Sequence, residues 1–359
     1  MRQSRSGPKT DTSQGRAAAS DRRSVGLREV ARVAGVSTAT VSRAMNNPEI
    51  VSADLRARID AAVQQLGWVP DGAARALSTR RSQTIGAVFP ALSIGEFARA
   101  THAIQSELAR LGYTLLLACS EYDPAQELSQ VRKFVERGVD GLILVGQAHH
   151  PDTERLLHQR KIPYVNTFVY DRSQPGTCVG PDNHRALQMM TDHLADLGHV
   201  RFAAIAQSTL NNDRAGARLE GMRHALALRG LAARPQHVLI GKWTIGEGRA
   251  LFRKLMQTDP RPTAIICGNA HLTVGAVLEA LAMGLRLPDD VSIVGYDDIE
   301  VMSHLPVPVT TVRVPGDRIG ATAARLLVSR LENKPFSEPL EAEAEIVIRS
   351  SSGPPPKDS

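Results

Sequence analysis

The chain has 359 residues, a formal net charge of +6, 42% hydrophobic residues and only 4% aromatic ones. This length exceeds that of a domain with a single hydrophobic core, and it predicts a small domain joined to a larger one with two lobes. The sequence has no apolar run long enough to cross a bilayer and no secretion signal, so we expect a cytoplasmic protein with no membrane partner. Its three widely spaced cysteines form no C-x-x-C pair, which argues against disulfides and structural zinc, and we expect neither a metal nor a cofactor.

The excess positive charge lies in the first quarter of the chain. Residues 1–82 contain 14 Lys and Arg against 7 Asp and Glu, whereas the remaining 277 residues contain 29 against 30. A basic head on a nearly neutral body is typical of a protein that contacts nucleic-acid phosphates through one module. The alternative is a solvated basic tail without a function.

Residues 1–24 are polar and small and predict a disordered basic tail. Apolar residues at helical spacing then predict a first short helix at 27–33. Gly35 supplies the left-handed residue that ends this helix, and Ser37 is a suitable cap for a second helix at about 38–46.

A third helix completes the predicted N-terminal domain. It covers about 53–66, has Ser52 as its cap, and carries one apolar face. Two short helices joined by a tight turn that contains glycine, with a third in support, predict a helix-turn-helix DNA-binding domain at 25–70. The second helix begins with small and hydroxyl side chains, which allow close entry into a major groove.

The segment LREVARVAGVSTATVSRAMNNPEIVSADLRARIDAAVQQLGWVPDGAARALSTRRSQTIG closely resembles the head of the lactose/galactose repressor (LacI/GalR) family. The resemblance extends to about residue 349, and the stretches ACSEYDPAQE and NDRAGARLEG are weakly similar to the gluconate-repressor branch. The residues that match the family pattern in the head are Glu29, Val30, Ala31, Ala34, Gly35, Val36, Ser37, Thr40, Val41, Ser42, Arg43, Asn46, Val51, Ser52 and Pro70.

The resemblance implies DNA-contacting roles for residues of the second helix. Thr38 and Ala39 occupy the variable base-reading positions of the family. The positions that contact phosphates and base edges are Thr40, Ser42, Arg43 and Asn46. The alternative for Thr38 and Ala39 is an exposed helix surface without a partner. Two departures from the family pattern are Gly26 in place of a threonine cap and Asp71 in place of the hinge asparagine.

Residues 71–83 are predicted to form a hinge helix and a linker. The stretch at 71–78 is rich in alanine and too short for a stable isolated helix. In the family, the hinge helices of two subunits pair on DNA and insert leucines into the minor groove, and Leu77 occupies that position here. The alternative is that Leu77 is an ordinary hydrophobic linker residue.

From residue 84 onward, short apolar runs alternate with amphipathic helical segments. This pattern predicts parallel sheets covered on both faces, arranged as a two-lobed α/β domain like that of periplasmic binding proteins. We expect the first lobe at about 84–181, most of the second at 182–310, and interwoven lobes, because VTTVRVP and EAEIVIRS look like late strands. The effector-binding and dimerisation domain would thus cover 84–349, followed by a disordered tail at 350–359.

The resemblance places a small-molecule site in the cleft between the lobes. Aromatic rings there would stack on a sugar, carboxylates and amides would bind its hydroxyls, and an arginine would fork onto a hydroxyl pair or a carboxylate. The residues at these positions are Phe97, Asp182, Arg218, Trp243, Asn269 and Asp297. The effector is therefore expected to be a small sugar or sugar acid.

Each of these assignments has a simpler alternative. Asp182 is also a good helix cap, Asp297 a possible strand end, and Phe97 and Trp243 possible core residues. The sequence also departs from the family at Ala270, which replaces an aspartate, and at Ile94-Gly95-Glu96, which replaces Asn-Pro-Phe.

No catalytic residue is predicted, because the nucleotide-binding, nucleophile-elbow and H-E-x-x-H motifs of enzymes are missing. The adjacent pair His149-His150 is interpreted as solvated loop residues. A secreted sugar-binding protein would fit the large domain alone, but the helix-turn-helix and the missing secretion signal disfavour it. The sequence thus predicts a transcriptional regulator, most simply a repressor, that binds a palindromic double-stranded DNA operator as a homodimer.

Overall fold

The computed structural model describes residues 26–69, 72, 76, 81–173 and 176–357. The chain divides into two compact units, Met1–Ser78 and Thr79–Ser359, and each is considered by itself. Within the described ranges, no helix is long and apolar enough to cross a membrane. The predicted tail at 1–24 and most of the predicted hinge, including Asp71 and Leu77, lie outside the described residues.

The first unit contains the three predicted helices, with the first one residue longer than expected. They are α1 (Leu27–Ala34), α2 (Thr38–Asn46) and α3 (Ala53–Leu66). Gly35 ends α1 in the left-handed conformation at φ +66°, which favours glycine. Ser37 caps α2 as predicted, since its side chain accepts a hydrogen bond from the Thr40 amide. Ser52 stands at the cap position of α3 but makes no such bond.

Small and branched side chains form the core of this unit. The fully buried members are Val30, Ala31, Ala34, Val41, Ala44, Ile59 and Ala62. Arg58 on α3 donates a hydrogen bond of 2.6 Å to the Ala34 carbonyl, one of the carbonyls that the end of α1 leaves without a helical partner. The three helices therefore hold one another in a fixed arrangement.

The first lobe of the second unit is built on a five-stranded parallel sheet. Its strands are β1 (Thr84–Phe89), β2 (Thr114–Cys119), β3 (Gly141–Val145), β4 (Tyr164–Thr167) and β5 (Cys178–Val179), in the order β2-β1-β3-β4-β5. Its helices are α4 (Gly95–Arg110), α5 (Pro124–Glu136) and α6 (Pro151–Arg160). The buried apolar strands explain the continuous hydrophobic runs in the sequence.

The second lobe is built on a six-stranded sheet in the order β11-β10-β9-β8-β6-β7. The strands are β6 (Phe202–Gln207), β7 (Val238–Gly241), β8 (Ala264–Cys267), β9 (Ser292–Tyr296), β10 (Thr310–Arg313) and β11 (Glu345–Val347). Only β11 runs antiparallel to its neighbour among these strands. The helices are α7 (Asn183–Asp196), α8 (Asp213–Leu228), α9 (Ile245–Met256), α10 (Ala270–Ala282) and the short α11 (Val301–His304).

The lobes are interwoven because the chain crosses between them three times. After β10 the chain returns to the first lobe as α12 (Gly316–Leu331), where Arg330 donates a hydrogen bond of 2.8 Å to the Tyr164 carbonyl of β4. Residues 340–342 then pair with Gly180 beside β5, before β11 rejoins the second sheet. The prediction of a two-lobed α/β domain with parallel sheets is confirmed.

The C-terminal segment differs from its prediction as a disordered tail at 350–359. Ser351 is fully buried, and its hydroxyl accepts a hydrogen bond from the Thr310 amide and donates one to the Ile293 carbonyl. The Gly353 carbonyl lies 2.9 Å from Nε2 of the buried His199. Buried polar groups of β9 and β10 need hydrogen-bond partners, and backbone and hydroxyl groups of this segment supply them. The composition of the segment does not reveal this role.

One pair of helices in the second lobe touches backbone to backbone. A Cβ atom at Gly221 of α8 would collide with the carbonyl oxygen of His184 on α7 and lie 2.8 Å from its carbon. At Gly216, one and a half turns earlier on α8, a Cβ would meet nothing within 4 Å. Close packing of these two helices therefore depends on Gly221.

Candidate functional site

The exposed face of α2 presents the residues predicted to contact DNA. Thr38, Ala39 and Arg43 are exposed, and Thr40 and Ser42 are partly exposed, while Val41 and Ala44 are buried on the opposite face. The side chain of Asn46 and the whole of Leu77 are outside the described residues. The small side chains of the first turn leave room for a close approach to base edges.

Thr40 also has a structural role at the start of α2. Its hydroxyl lies 2.8 Å from that of Ser37, whose oxygen accepts the Thr40 amide at 3.1 Å. These two bonds fix the first turn of the helix, the part that would enter a groove.

A cavity lies between the two lobes of the second unit, near the carboxyl ends of the parallel strands. It is lined by four of the six residues predicted to bind the effector, Phe97, Arg218, Asn269 and Asp297. The other lining residues are Ile94, Tyr122, Phe168, Pro181, Asn183, Gln207, Arg214, Tyr296 and Val314. Both lobes contribute to it, as expected for a ligand site at this edge of α/β sheets.

Asp182 and Trp243 do not line this cavity. The Asp182 carboxylate caps α7 by accepting the Arg185 amide at 3.0 Å, which is the simpler alternative for this residue. Trp243 packs behind the cavity, with its ring centroid 4.8 Å from that of Tyr122, a lining residue. The tryptophan therefore contacts the cavity wall rather than its interior.

Arg218 is the central polar side chain of the cavity. It is only 9% exposed, and its guanidinium lies 4.3 Å from the ring centroid of Tyr296. The same group donates a long bond of 3.5 Å to Oδ1 of Asn183, which also accepts the Tyr296 hydroxyl at 2.9 Å. Burial raises the pKa of Tyr296 to about 12, although Arg218 opposes the shift, so Tyr296 remains a hydroxyl donor.

Asp297 places a carboxyl group in the cavity from a left-handed backbone conformation at φ +69°. A non-glycine residue held in this region stores strain, which is common at ligand sites. Burial raises the pKa of its carboxyl, while nearby guanidiniums, above all that of Arg218, act in the opposite direction. Asp297 is thus more than the end of a strand.

Several lining residues were not predicted. Arg214 lies one helical turn before Arg218 on α8, a spacing that could have revealed it. Tyr122 adopts φ +61° in a loop, and the side-chain oxygen of Gln207 accepts a hydrogen bond of 2.8 Å from the side-chain amide of Asn269. No sequence pattern indicates that either residue lines the cavity.

Polar contacts between described residues join the lobes beside the cavity, and two of them involve charged side chains. The Asp213 carboxylate at the start of α8 accepts the Gln147 amide of the first lobe at 2.9 Å. The Arg99 guanidinium of α4 donates to the Asp298 carbonyl at 3.1 Å. Gly146 makes the first contact possible, because a Cβ there would overlap the Arg214 guanidinium and lie 2.5 Å from Oδ1 of Asp213.

The interpretation of His149 as a solvated loop residue is wrong. Its ring is buried, with Nδ1 2.7 Å from the Glu127 carboxylate and Nε2 3.2 Å from the side-chain oxygen Oδ1 of Asn166. Burial alone would lower the pKa of His149, but the hydrogen bond and charge of Glu127 outweigh it and raise that pKa. The adjacent His150 caps α6 by accepting the Asp152 amide.

Two family profiles match the chain. Residues 26–71 match "Bacterial regulatory proteins, lacI family", and residues 191–352 match "Periplasmic binding protein-like domain". The ribose operon repressor of Escherichia coli (strain K12) is 30% identical over 315 residues, which cover 85% of this chain and 92% of that protein.

Solved structures extend the similarity to nearly the whole chain. The lac repressor dimer bound to operator and the anti-inducer ONPF is 25% identical, with a TM-score of 0.80, and covers 92% of this chain and 99% of that one. The transcription regulator GntR from Chromobacterium violaceum is 26% identical, with a TM-score of 0.71, and covers 75% and 99%.

The named relatives are transcriptional regulators and not enzymes. One profile matches the helix-turn-helix unit and the other lies within the two-lobed α/β unit, so each unit of the chain has a match. The chain belongs to the lacI family of bacterial regulatory proteins and is a DNA-binding transcriptional regulator.

Proposed function

We propose that this regulator is a repressor that binds a palindromic operator as a homodimer and releases it when a small polyhydroxylated effector fills the interlobe cavity. The exposed face of α2 carries the DNA half of this proposal, since Thr38 and Ala39 stand on its accessible first turn. One such helix reads one half-site, so useful affinity needs two heads and a two-fold symmetric site.

The composition of the cavity wall supports the effector half of the proposal. Apolar rings from Phe97 and Phe168 stand beside the polar groups of Asn183, Arg218 and Asp297. A wall that combines apolar rings with fixed polar groups suits a small polar molecule, because the rings cover its apolar faces and the polar groups fix its orientation. Binding there would act on the contacts that join the lobes, and through them on the DNA-bound state.

Changes on α2 should separate base reading from phosphate contact. In vitro selection with the full chain, from a library of random duplexes of about 30 base pairs (about three helical turns), should recover an imperfect palindrome. Arg43→Ala should weaken binding to all duplexes. It should also reduce the slope of log affinity against log salt concentration by about one, the contribution of one phosphate contact. Changes at Thr38 or Ala39 should instead alter which half-site is selected.

The measurement for this prediction is fluorescence anisotropy of the selected duplex at several salt concentrations. A duplex of equal length and unrelated sequence, which the selection did not enrich, is the control. If changes at Thr38 and Ala39 weakened all duplexes equally, or if no palindrome were recovered, the assignment of α2 as the reading helix would be wrong.

Trp243 should report occupation of the cavity through its contact with Tyr122. The chain has two tryptophans, Trp68 and Trp243, so Trp68→Phe leaves one emitter in the second unit. An effector that moves Tyr122 should change the emission of this variant at the same concentrations that release the selected duplex.

Tyr122→Leu in the Trp68→Phe background is the matched control, because it removes the aromatic contact from the wall. We expect a weaker emission change in this variant. Release of the duplex by a compound that leaves Trp243 emission unchanged would contradict the coupling between Tyr122 and the effector.

A further inference from the structure

We propose that the effector is a sugar acid whose carboxylate binds between the guanidiniums of Arg214 and Arg218, while its hydroxyls contact the amides and rings of the cavity. This inference rests on the proposed function, because it assumes that the interlobe cavity is the effector site. It adds the charge and the chemical class of the ligand.

Arg218 is buried without an anionic hydrogen-bond partner among the described residues. Its contacts are the amide oxygen of Asn183 and the ring of Tyr296, and its Nε has no hydrogen-bond partner. A buried charge is costly unless it is paired and fully hydrogen-bonded. Because Arg218 lines the cavity, an anion bound there would supply the missing partner.

Arg214 adds a second guanidinium to the same wall. It is 6% exposed and pairs with Asp213 at 3.2 Å. The other oxygen of Asp213 is already engaged by the Gln147 amide across the lobes. One carboxylate is thus shared between Arg214 and the interlobe contact, and the arginine retains donors for a ligand.

The carboxyl of Asp297 does not neutralise these arginines in an ion pair. No cation of the described residues lies within salt-bridge distance of it. Arg218, Arg99, Arg214 and His271 act on it only from longer range, and burial raises its pKa. Arg214 and Arg218 therefore keep guanidinium donors that an anionic ligand can occupy.

The helix N-termini at the cavity already use part of their amide donors. Phosphates are commonly held by free amides at helix N-termini. Here Asn212 accepts the Ala215 amide at the start of α8, and Asn269 accepts the Leu272 amide at the start of α10. With these two amides bonded to side chains, we expect the planar guanidinium forks of Arg214 and Arg218 to be the main donors to an anion, and such forks match a carboxylate well.

Calorimetric titration of the full chain tests the inference with matched acids and neutral compounds. The acids are D-gluconate, D-galactonate, D-ribonate and D-glucuronate, and their neutral counterparts are D-glucitol, galactitol, ribitol and D-glucose; D-glucose 6-phosphate is also tested. Each aldonate differs from its alditol only where a carboxylate replaces a hydroxymethyl group. We expect at least one acid to bind about 100-fold more tightly than its neutral counterpart, as two charge-assisted contacts allow.

Arg218→Gln and Arg214→Gln should each reduce the affinity for that acid by about tenfold or more, and the affinity for its neutral counterpart by a clearly smaller factor, because only the acid loses a charge-assisted contact. Arg286→Gln is the control, because Arg286 is 72% exposed and pairs with Asp289 and Asp290 outside the cavity. Thermal unfolding of each variant establishes that it is folded.

In the titrations, equal affinity for an acid and its neutral counterpart, tighter binding of the phosphate, or no binding of any acid would each overturn the inference. Release of the selected duplex by a neutral sugar would overturn it and leave the proposed function intact. Failure to recover any palindrome, with acid binding retained, would overturn the proposed function instead.

Discussion

Replacing Gly146 with alanine is expected to weaken binding of the effector by more than tenfold. The added methyl group would occupy the space of the Arg214 guanidinium and of Asp213. Both side chains can swing away, but the bond between Asp213 and the Gln147 amide is then lost. A hydrogen bond to a charged group contributes about 1.5–3 kcal/mol, and its loss weakens the contact that holds the two lobes together around the cavity.

Gly138→Ala is the matched control for this prediction. Gly138 has φ +71° and Gly146 has φ +79°, so alanine brings a similar backbone strain at either position, about 1–2 kcal/mol. A Cβ at Gly138 would meet nothing within 4 Å, however, and should leave ligand binding unchanged.

Two measurements check the Gly146 prediction. Calorimetry with the compound that binds the unaltered chain most tightly gives the affinity, and small-angle scattering with that compound present gives the radius of gyration. We expect Gly146→Ala to bind weakly and to remain more expanded than Gly138→Ala. Equal affinities in the two variants would show that the contact between Asp213 and Gln147 does not support ligand binding.

Replacing Gly221 with alanine is expected to lower the free energy of unfolding by about 3 kcal/mol. Here the methyl group would strike backbone atoms of His184 on α7, which cannot swing aside as a side chain does. Relief requires α7 and α8 to separate, and this opens space around buried residues such as Leu187 and Met222. The same exchange at Gly216 of α8, where the space is open, should stabilise the chain by about 0.5–1 kcal/mol.

Urea unfolding of the two variants, followed by circular dichroism, measures this contrast. The pair shares one helix and one chemical change, so helix propensity cancels between them and the remaining difference is the contact with α7. A difference below about 1 kcal/mol would mean that the helices separate at little cost, contrary to the close packing described above.

The helical head was predictable nearly to the residue because its signals are local. Periodic apolar positions, Gly35 and Ser37 lie within a few residues of what they specify. Ser52 shows the limit of such signals, since a residue suited to capping α3 stands at the right position without making the bond.

The cavity was predictable only where the family pattern marks single positions. Arg218 and Asp297 could be found in this way. Asn183 could not, because it joins the site through bonds to the Phe168 carbonyl and the Tyr296 hydroxyl, which are distant in sequence. The strands β5 and β7 could not be predicted for a different reason: with two and four residues, they are too short to show a period.

The return of α12 to the first lobe has a consequence for engineering new regulators. A hybrid that takes its first lobe from a relative cannot be made with one junction, because that lobe consists of residues 81–180 together with 316–342. Exchanging only the earlier segment would place a foreign sheet against the native α12 and its Arg330–Tyr164 contact. Recombination between family members should therefore yield folded hybrids most often when both segments come from the same parent.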